Sequence, residues 1–251
     1  MTFFNIFFIM GDDIGTYLDI TRLIIGITIL SYASFTDIKT RRASNLNWLI
    51  LGLIGGILLV IQYFTVGFGQ YLNYLIFIPV MIGLVYLLFQ LRLIFGGADA
   101  KALMALAILA PIPPSIYQFP LYKFTIMPFS WTIFSNSIIL FLFIPLSLMI
   151  YNISKKNVKF PHCLLGYKMT IKKARTKFVW PLEKIVNGKS KIVKMPKDFD
   201  IEKELKEFEK LGLKEIWVTP KIPFMIPLLA GFITAFIIGD LMFYIMNFFL
   251  I

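Results

Sequence analysis

The sequence has very few of the residues that build metal sites or thiol chemistry. Its 251 residues include one cysteine and one histidine. A single cysteine excludes an intramolecular disulfide and a cysteine-rich metal site, and a single histidine excludes a histidine-rich one. His162 and Cys163 are neighbours in the chain, whereas catalytic pairs are usually assembled from distant positions. We therefore expect no catalytic role for these two residues, no bound metal and no cofactor.

Acidic residues are also scarce, with 14 Asp and Glu against 25 Lys and Arg, which gives a formal charge of +11. Residues 154–221 contain 18 of the basic and 8 of the acidic residues. Such a basic segment is compatible with nucleic acid, but positive charge on the cytoplasmic side of a membrane protein explains it more simply. We therefore predict no nucleic-acid partner.

Long hydrophobic runs dominate the rest of the chain, and 58% of all residues are hydrophobic. A soluble domain averages about 45–50%, and a membrane-spanning helix needs about 20 mostly apolar residues. The apolar start MTFFNIFFIM is short and lacks a small-residue cleavage site, so no cleavable signal peptide is expected. Six segments are candidates for membrane spans, namely residues 20–36, 48–66, 74–91, 100–112, 129–153 and 223–251.

The predicted fold is an all-α polytopic membrane protein with about six transmembrane helices and a small α+β cytoplasmic domain before the last helix. Residues 17–153 form the membrane core with five helices, residues 154–221 the basic domain and residues 222–251 the sixth helix. Within the basic domain, Asn187-Gly188 predicts a hairpin turn, and 200–211 has the periodicity of an amphipathic helix. The basic loops after the first, third and fifth spans then fall on one side, which the positive-inside rule makes cytoplasmic.

Two aspartates, Asp37 and Asp99, are predicted at this cytoplasmic edge, at the ends of apolar helices that could pack together. Charged groups at the membrane are costly and often functional. Each also has a simpler explanation: Asp37 could be a charged residue ending a helix near Lys39 and Arg41, and Asp99 could be a helix N-cap. The Gly96-Gly97 pair permits close backbone approach to Asp99, or merely forms an interhelical loop.

Two carboxylates that share one proton can hydrolyse a peptide, because one activates a water and the other donates to the carbonyl oxygen. Asp99 is predicted at a helix N-terminus, where the helix dipole favours an anion, and Asp37 at a C-terminus. The sequence therefore favours Asp99 as the base and Asp37 as the protonated partner. Three other aspartates, Asp12, Asp13 and Asp19, are expected to be solvated on the opposite side of the membrane.

Asp240 lies within the last apolar segment. It could be a third polar group that tunes the site, but six spans place it near the outer membrane edge, away from Asp37 and Asp99, which is the interpretation we favour.

The motifs around both aspartates resemble those of the type IV prepilin and preflagellin (prearchaellin) peptidases, a family of polytopic aspartic proteases. Gly96-Gly97-Ala98-Asp99 is similar to their G-x-G-D motif, and Asp37, followed by basic residues, Ser44 and Asn45, is similar to their other aspartate motif. The segment EIWVTPKIPFMIPLLAGFITAFIIGD is similar to the last helix of the archaeal preflagellin peptidases. One position departs from the motif: the third residue, usually glycine, is Ala98, whose methyl group narrows the approach to Asp99.

The resemblance implies that Asp37 and Asp99 are the catalytic pair, with Gly96, Gly97, Ala98 and Lys101 shaping the site or binding substrate. It implies cleavage of the short basic leader, a class III signal peptide, from preflagellin- or prepilin-like precursors at the cytoplasmic face of the cell membrane. Bacterial members also methylate the new N-terminus and carry a cysteine-rich zinc segment. Since this chain has no CxxC pair, we predict no methyltransferase activity.

The basic leader and the basic domain should repel each other. Either the leader contacts Asp37 and Asp99 directly, or the basic domain faces anionic lipid headgroups, which is the interpretation we prefer. The main alternative function is a cation- or proton-coupled transporter that uses the same carboxylates. A transporter would favour carboxylates near the bilayer midplane and interrupted helices. A non-catalytic membrane scaffold is a further alternative.

Overall fold

The computed structural model describes residues 3–94, 96–122, 127–186, 189–192 and 201–250. Its helices are α1 (Phe3–Thr40), α2 (Asn45–Thr65), α3 (Phe77–Gln90), α4 (Gly97–Leu109), α5 (Phe129–Phe141), α6 (Phe143–Ser154), α7 (His162–Leu165), α8 (Ile171–Thr176), α9 (Ile201–Lys210), α10 (Met225–Ile237) and α11 (Leu241–Leu250). A 3-10 segment, Gly69–Ile76, precedes α3. Its strands are β1 (Tyr167–Thr170), β2 (Val179–Pro181), β3 (Glu183–Val186), β4 (Lys189–Ile192) and β5 (Glu215–Pro220). The chain forms two compact units, Met1–Phe141 with Pro223–Ile251, and Leu142–Ile222.

Within the described part of the chain, four helical stretches are long and apolar enough to cross a membrane. They are Asp13–Thr40, Asn45–Thr65, Tyr71–Gln90 and Phe129–Ser154, and they coincide with the first, second, third and fifth predicted spans. The predicted fourth span, residues 100–112, is the 13-residue helix α4. At 1.5 Å per residue it is about 20 Å long, which is short of an apolar layer of about 30 Å. The count of six spans is therefore not confirmed.

The predicted last span is interrupted. Helix α10 ends at Ile237 and α11 begins at Leu241, with Gly239 between them at a φ of +106°, a conformation that glycine tolerates best. Asn136 of α5 bridges the break: its Nδ2 donates to the Gly239 carbonyl (2.8 Å), and the Leu241 N–H donates to its Oδ1 (3.0 Å). Asp240 is buried and accepts from the Phe243 N–H through Oδ1 (3.1 Å). Asp240 therefore caps α11 rather than lying within one long helix.

Helix α4 is the centre of the first unit. It contacts α1, α2, α3 and α5 and is buried over most of its surface, apart from the stripe that carries the exposed Lys101. Small side chains let its neighbours approach closely: a Cβ at Gly55 of α2 would lie 2.7 Å from the Leu109 Cα. Its buried residues are Ala100, Ala102, Leu103, Ala105, Leu106, Ala107 and Leu109.

The second unit is a small α/β region. Its antiparallel sheet has the order β1-β5-β2, and a separate hairpin pairs β3 with β4, with Val186 opposite Lys189. The predicted hairpin strands are therefore confirmed, while Asn187 and Gly188 lie outside the described residues. The amphipathic helix predicted over 200–211 is α9, which packs Leu205 and Phe208 into the unit's core. The predicted small α+β character of this region is confirmed.

The close approach of α2 to α4 predicts that Gly55→Ala destabilises the first unit. The added methyl would overlap the Leu109 backbone, and such overpacking costs about 1–3 kcal/mol. Thermal unfolding of the detergent-solubilised protein would measure the loss. Gly56→Ala is the matched control, because a Cβ there meets nothing within 4 Å and alanine suits a helix better than glycine. Equal melting temperatures for the two variants would contradict this packing.

Candidate active site

Asp37 lies in the last turn of α1, where it is partly buried. The helix ends because Arg41 adopts a left-handed conformation, with a φ of +56°, and its N–H donates to the Asp37 carbonyl (2.9 Å). This arrangement satisfies a carbonyl at the helix end. The positive charge of Arg41 also acts on the Asp37 carboxylate. The chain then turns, and Ser44 begins α2 by accepting from the Leu46 N–H through Oγ (3.3 Å).

Asp99 is the third residue of α4, and Gly96, not Asp99, is the N-cap. The alternative explanation of Asp99 as the helix N-cap is therefore excluded. Its carboxyl group folds back over the helix start, so that a Cβ on Gly96 would collide with Oδ2 of Asp99. Gly96 thus has a steric role: any side chain at this position would require the Asp99 carboxyl group to move. Gly97 is less constrained, since a Cβ there would make ordinary contact with the Phe89 ring (3.8 Å).

The two aspartates come close enough for their charges to interact. Burial, and to a lesser extent the negative charge of Asp37, raise the pKa of the Asp99 carboxyl to about 7. Removal from water and a like charge both disfavour the ionised form of a carboxylic acid. Asp37 and Asp99 therefore form a pair in which protonation of Asp99 is favoured near neutral pH.

Lys101 joins the start of α4, which carries Asp99, to the start of α2, which follows the loop after Asp37. Its Nζ donates to Oδ1 of Asn45, the first residue of α2 (2.9 Å). Asn45 follows the loop that leaves α1, and Lys101 lies two residues after Asp99. The bond therefore connects the loop after Asp37 to the helix of Asp99. Ala98 packs partly buried against the apolar core of the unit.

Other polar residues lie apart from this pair and have partners of their own. Asp19, which was expected to be solvated, instead binds Arg22 (2.8 Å) and accepts from the Ser115 N–H (2.8 Å). Arg22 also donates to Gln62 of α2 (2.7 Å). The spacing of Asp19 and Arg22 by three residues is the only sequence signal for this cluster. Because buried ions need partners, the cluster has a structural explanation.

His162 and Cys163 lie in the second unit and are both buried. His162 Nε2 lies 2.6 Å from the Glu183 Oε1, and Lys159 Nζ donates to the same oxygen (2.9 Å). Over the described residues, no group of three or more His, Cys, Asp or Glu side chains could hold a metal ion. The arrangement thus gives His162 a structural partner.

These features define a class of protein: a polytopic membrane protein that brings two carboxylates from different helices together at one site. Comparison with known proteins agrees. Residues 24–153, which contain both aspartates, match the model of the type IV leader peptidase family. Residues 158–241 match the archaeal peptidase A24 C-terminus type II.

Individual relatives cover nearly the whole chain. It is 29% identical to a preflagellin peptidase of Methanococcus voltae over 235 residues, which covers 86% of this chain and 94% of the relative. It is 27% identical to that of Methanococcus maripaludis, with the same coverage. It is 26% identical to that of Methanocaldococcus jannaschii, over 87% of this chain and 94% of the relative. The chain belongs to the type IV leader peptidase family, which supports leader-peptide cleavage and hence a protease.

The bond between Lys101 and Asn45 predicts that Lys101→Met slows turnover more than it weakens substrate binding. Loss of one hydrogen bond costs about 0.5–1.5 kcal/mol. If the bond helps to position the two carboxylates, this cost corresponds to a several-fold lower kcat. Steady-state cleavage of a precursor peptide would separate kcat from KM.

Asn45→Ala is the matched variant, and a double-mutant cycle tests the contact. The double variant should be no slower than either single variant, and Lys101→Arg should recover part of the rate. Losses that multiply, or a change confined to KM, would contradict a positioning role.

Proposed function

We propose that this chain is a membrane-embedded aspartic endopeptidase that removes the short basic leader from preflagellin- or prepilin-like precursors. The observation that carries the proposal is the approach of Asp37 and Asp99, with a pKa of about 7 at Asp99. An aspartic mechanism needs one ionised and one protonated carboxyl group, and this pair holds one proton near neutral pH. The family membership supplies the substrate class.

The favoured distribution of the proton is opposite to the one that helix dipoles alone suggested. Asp99 lies in the first turn of α4, where the helix dipole stabilises an anion by about 0.3–1 kcal/mol. Each pKa unit corresponds to about 1.4 kcal/mol, so burial and the charge of Asp37 outweigh the dipole. We therefore assign Asp99, whose pKa is raised to about 7, as the acid and Asp37 as the base. The values belong to the pair as a coupled system.

Hydrolysis then proceeds in two proton-balanced steps. Asp37 takes a proton from a water molecule, and the oxygen of that water attacks the scissile carbonyl carbon. In the same step Asp99 donates its proton to the carbonyl oxygen. The resulting tetrahedral diol collapses when Asp37 returns its proton to the leaving nitrogen and Asp99 takes one from a hydroxyl group. The C–N bond breaks, and both carboxyl groups regain their starting states.

The site is proposed to open to the cytoplasm. Basic residues follow Asp37 at Lys39, Arg41 and Arg42, and Arg92 precedes Asp99 in the loop before α4. Positive charge in short loops marks the cytoplasmic side of membrane proteins. A leader peptide that carries positive charge would also be attracted to the ionised member of the pair.

Replacing either carboxyl group should abolish cleavage. We expect Asp37→Asn and Asp99→Asn each to lower the rate by about 100-fold or more, because general acid–base catalysis contributes about 10²–10⁴-fold. The assay is a gel shift of a preflagellin-like precursor incubated with membranes that contain each variant at equal protein levels. Asp13→Asn is the matched control, since Asp13 is exposed and should leave the rate unchanged. Full cleavage by either Asp37→Asn or Asp99→Asn would contradict the proposal.

The raised pKa of Asp99 predicts the direction of the pH dependence. If the protonated carboxyl group is the acid, the rate should be high below a pH of about 7 and fall as Asp99 loses its proton above it. Initial rates with a fixed precursor, measured from mildly acidic to alkaline pH, would show this decline. A rate that rises steadily through pH values above about 7 would contradict Asp99 as the acid.

A further inference from the structure

The sheet of the second unit has two different faces. On one face, Ile216 and Val218 of β5 pack with Leu205 and Phe208 of α9. On the other face, the intervening residue Trp217 packs with a second cluster, because successive side chains of a strand point to opposite sides. That cluster contains Cys163 and Leu182, with Met149 and Leu164 against it. We call the side of the sheet that carries Trp217 the tryptophan face.

Trp180 lies on the tryptophan face and is only partly covered. It pairs with Thr219 of β5, and directly paired residues of neighbouring strands point to the same side. Thr219 is two residues after Trp217, so Trp180 and Trp217 share a face. Trp217 is buried at 5% exposure, but Trp180 is 37% exposed and Phe178, which precedes the strand, is 52% exposed. Large aromatic area is therefore open at one edge of this face.

The chain itself ties this face to the membrane at two points. Met149, which packs in the Trp217 cluster, belongs to α6, the end of the candidate span Phe129–Ser154. The Lys221 N–H donates to the Phe178 carbonyl (3.0 Å), and the apolar helix α10 begins four residues later at Met225.

The exposed aromatic groups have lysines beside them. Lys221 Nζ lies 4.7 Å from the centroid of the Trp180 ring, an arrangement in which the cation contacts the ring and the aliphatic stem covers apolar surface. Phe160 is 77% exposed and follows Lys159 in the short connection after α6, which also contains Lys155 and Lys156. Aromatic rings next to lysine side chains are characteristic of the membrane–water interface.

We propose that the exposed part of the tryptophan face, made of Phe178, Trp180 and Lys221, lies in the headgroup layer and binds anionic phospholipid. The rings occupy the boundary between headgroups and acyl chains, and the lysines pair with lipid phosphates. The net positive charge of residues 154–221 is complementary to an anionic surface. This inference does not depend on the peptidase proposal, because its test measures position in the membrane rather than cleavage.

The test places a nitroxide label at Trp180→Cys in the full-length protein, reconstituted in bilayer discs containing phosphatidylglycerol. Electron paramagnetic resonance then compares collisions of the label with oxygen, which concentrates in lipid, and with a nickel chelate, which stays in water. Lys206→Cys is the matched control, since Lys206 is exposed on α9, on the other side of the sheet. Wild-type protein labelled identically gives the background from the native Cys163, which is buried.

We expect the ratio of oxygen to nickel collisions to be several-fold higher at position 180 than at position 206. Equal, water-like ratios would overturn the proposal. Protection of position 180 from both reagents would also overturn it, because that result indicates contact with protein, such as a second copy of the chain.

Two further measurements test the lipid chemistry and guard against misfolding of the cysteine variant. In phosphatidylcholine discs, or with Lys221→Glu, the ratio at position 180 should fall, and an unchanged ratio would overturn the preference for anionic lipid. Separately, brominated phospholipid should quench tryptophan fluorescence more strongly in the wild type than in Trp180→Phe. This variant keeps an aromatic ring and is therefore less disruptive than Trp180→Cys. Identical quenching of the two proteins would overturn contact between Trp180 and lipid.

Discussion

Burial of a carboxyl group beside a second carboxyl group, in a largely apolar bundle, is the physical constraint on which the proposed mechanism depends. Asp37 ends one helix and Asp99 begins another, and burial together with the charge of Asp37 favours protonation of Asp99. A pair with a single shared proton can supply both the acid and the base for amide hydrolysis. The surrounding structure serves to keep the two groups close: α4 is enclosed by its neighbours, Gly96 leaves room for the Asp99 carboxyl group, and Lys101 binds the start of α2.

A buried polar group without a partner costs free energy, and this cost explains why the other buried polar residues of the first unit are paired. Arg22 is buried, and it has Asp19 and Gln62 as partners. Helix α10 stops short because Asn136 supplies hydrogen bonds to the freed backbone groups at Gly239 and Leu241. Buried backbone and charged groups are stable only when paired. These clusters thus differ from Asp37 and Asp99, whose like charges act on each other and which we propose share one proton.

Hydropathy and short motifs predicted much of this structure. Four predicted spans coincide with long apolar helices, because sustained hydrophobicity identifies such helices without knowledge of their packing. The two aspartates were selected from the sequence because both lie at ends of apolar segments within recognisable motifs. The hairpin strands and α9 followed from an Asn-Gly turn and a helical period, which are local signals.

What the sequence did not predict depends on contacts between distant segments. Helix α4 is short and contacts four other helices, so hydropathy alone did not confirm residues 100–112 as a span. The break before Asp240 depends on Asn136, about a hundred residues earlier in the chain. The proposed choice of Asp99 as the acid likewise depends on burial and on the charge of Asp37, which a helix-dipole argument omits. Of the contacts of Asp19, only the one with Arg22 had a local sequence signal, which is their spacing of three residues.

The central claim is that Asp37 and Asp99 act as one catalytic unit, and a double-mutant cycle on the cleavage rate tests it most directly. Residual single-turnover cleavage of a precursor would be compared among the wild type, the two single asparagine variants and the doubly substituted protein. Groups that act as a unit show strongly non-additive losses. The account predicts that the double variant is no slower than the slower single variant. Losses that multiply would show two independent contributions and would contradict a shared-proton pair.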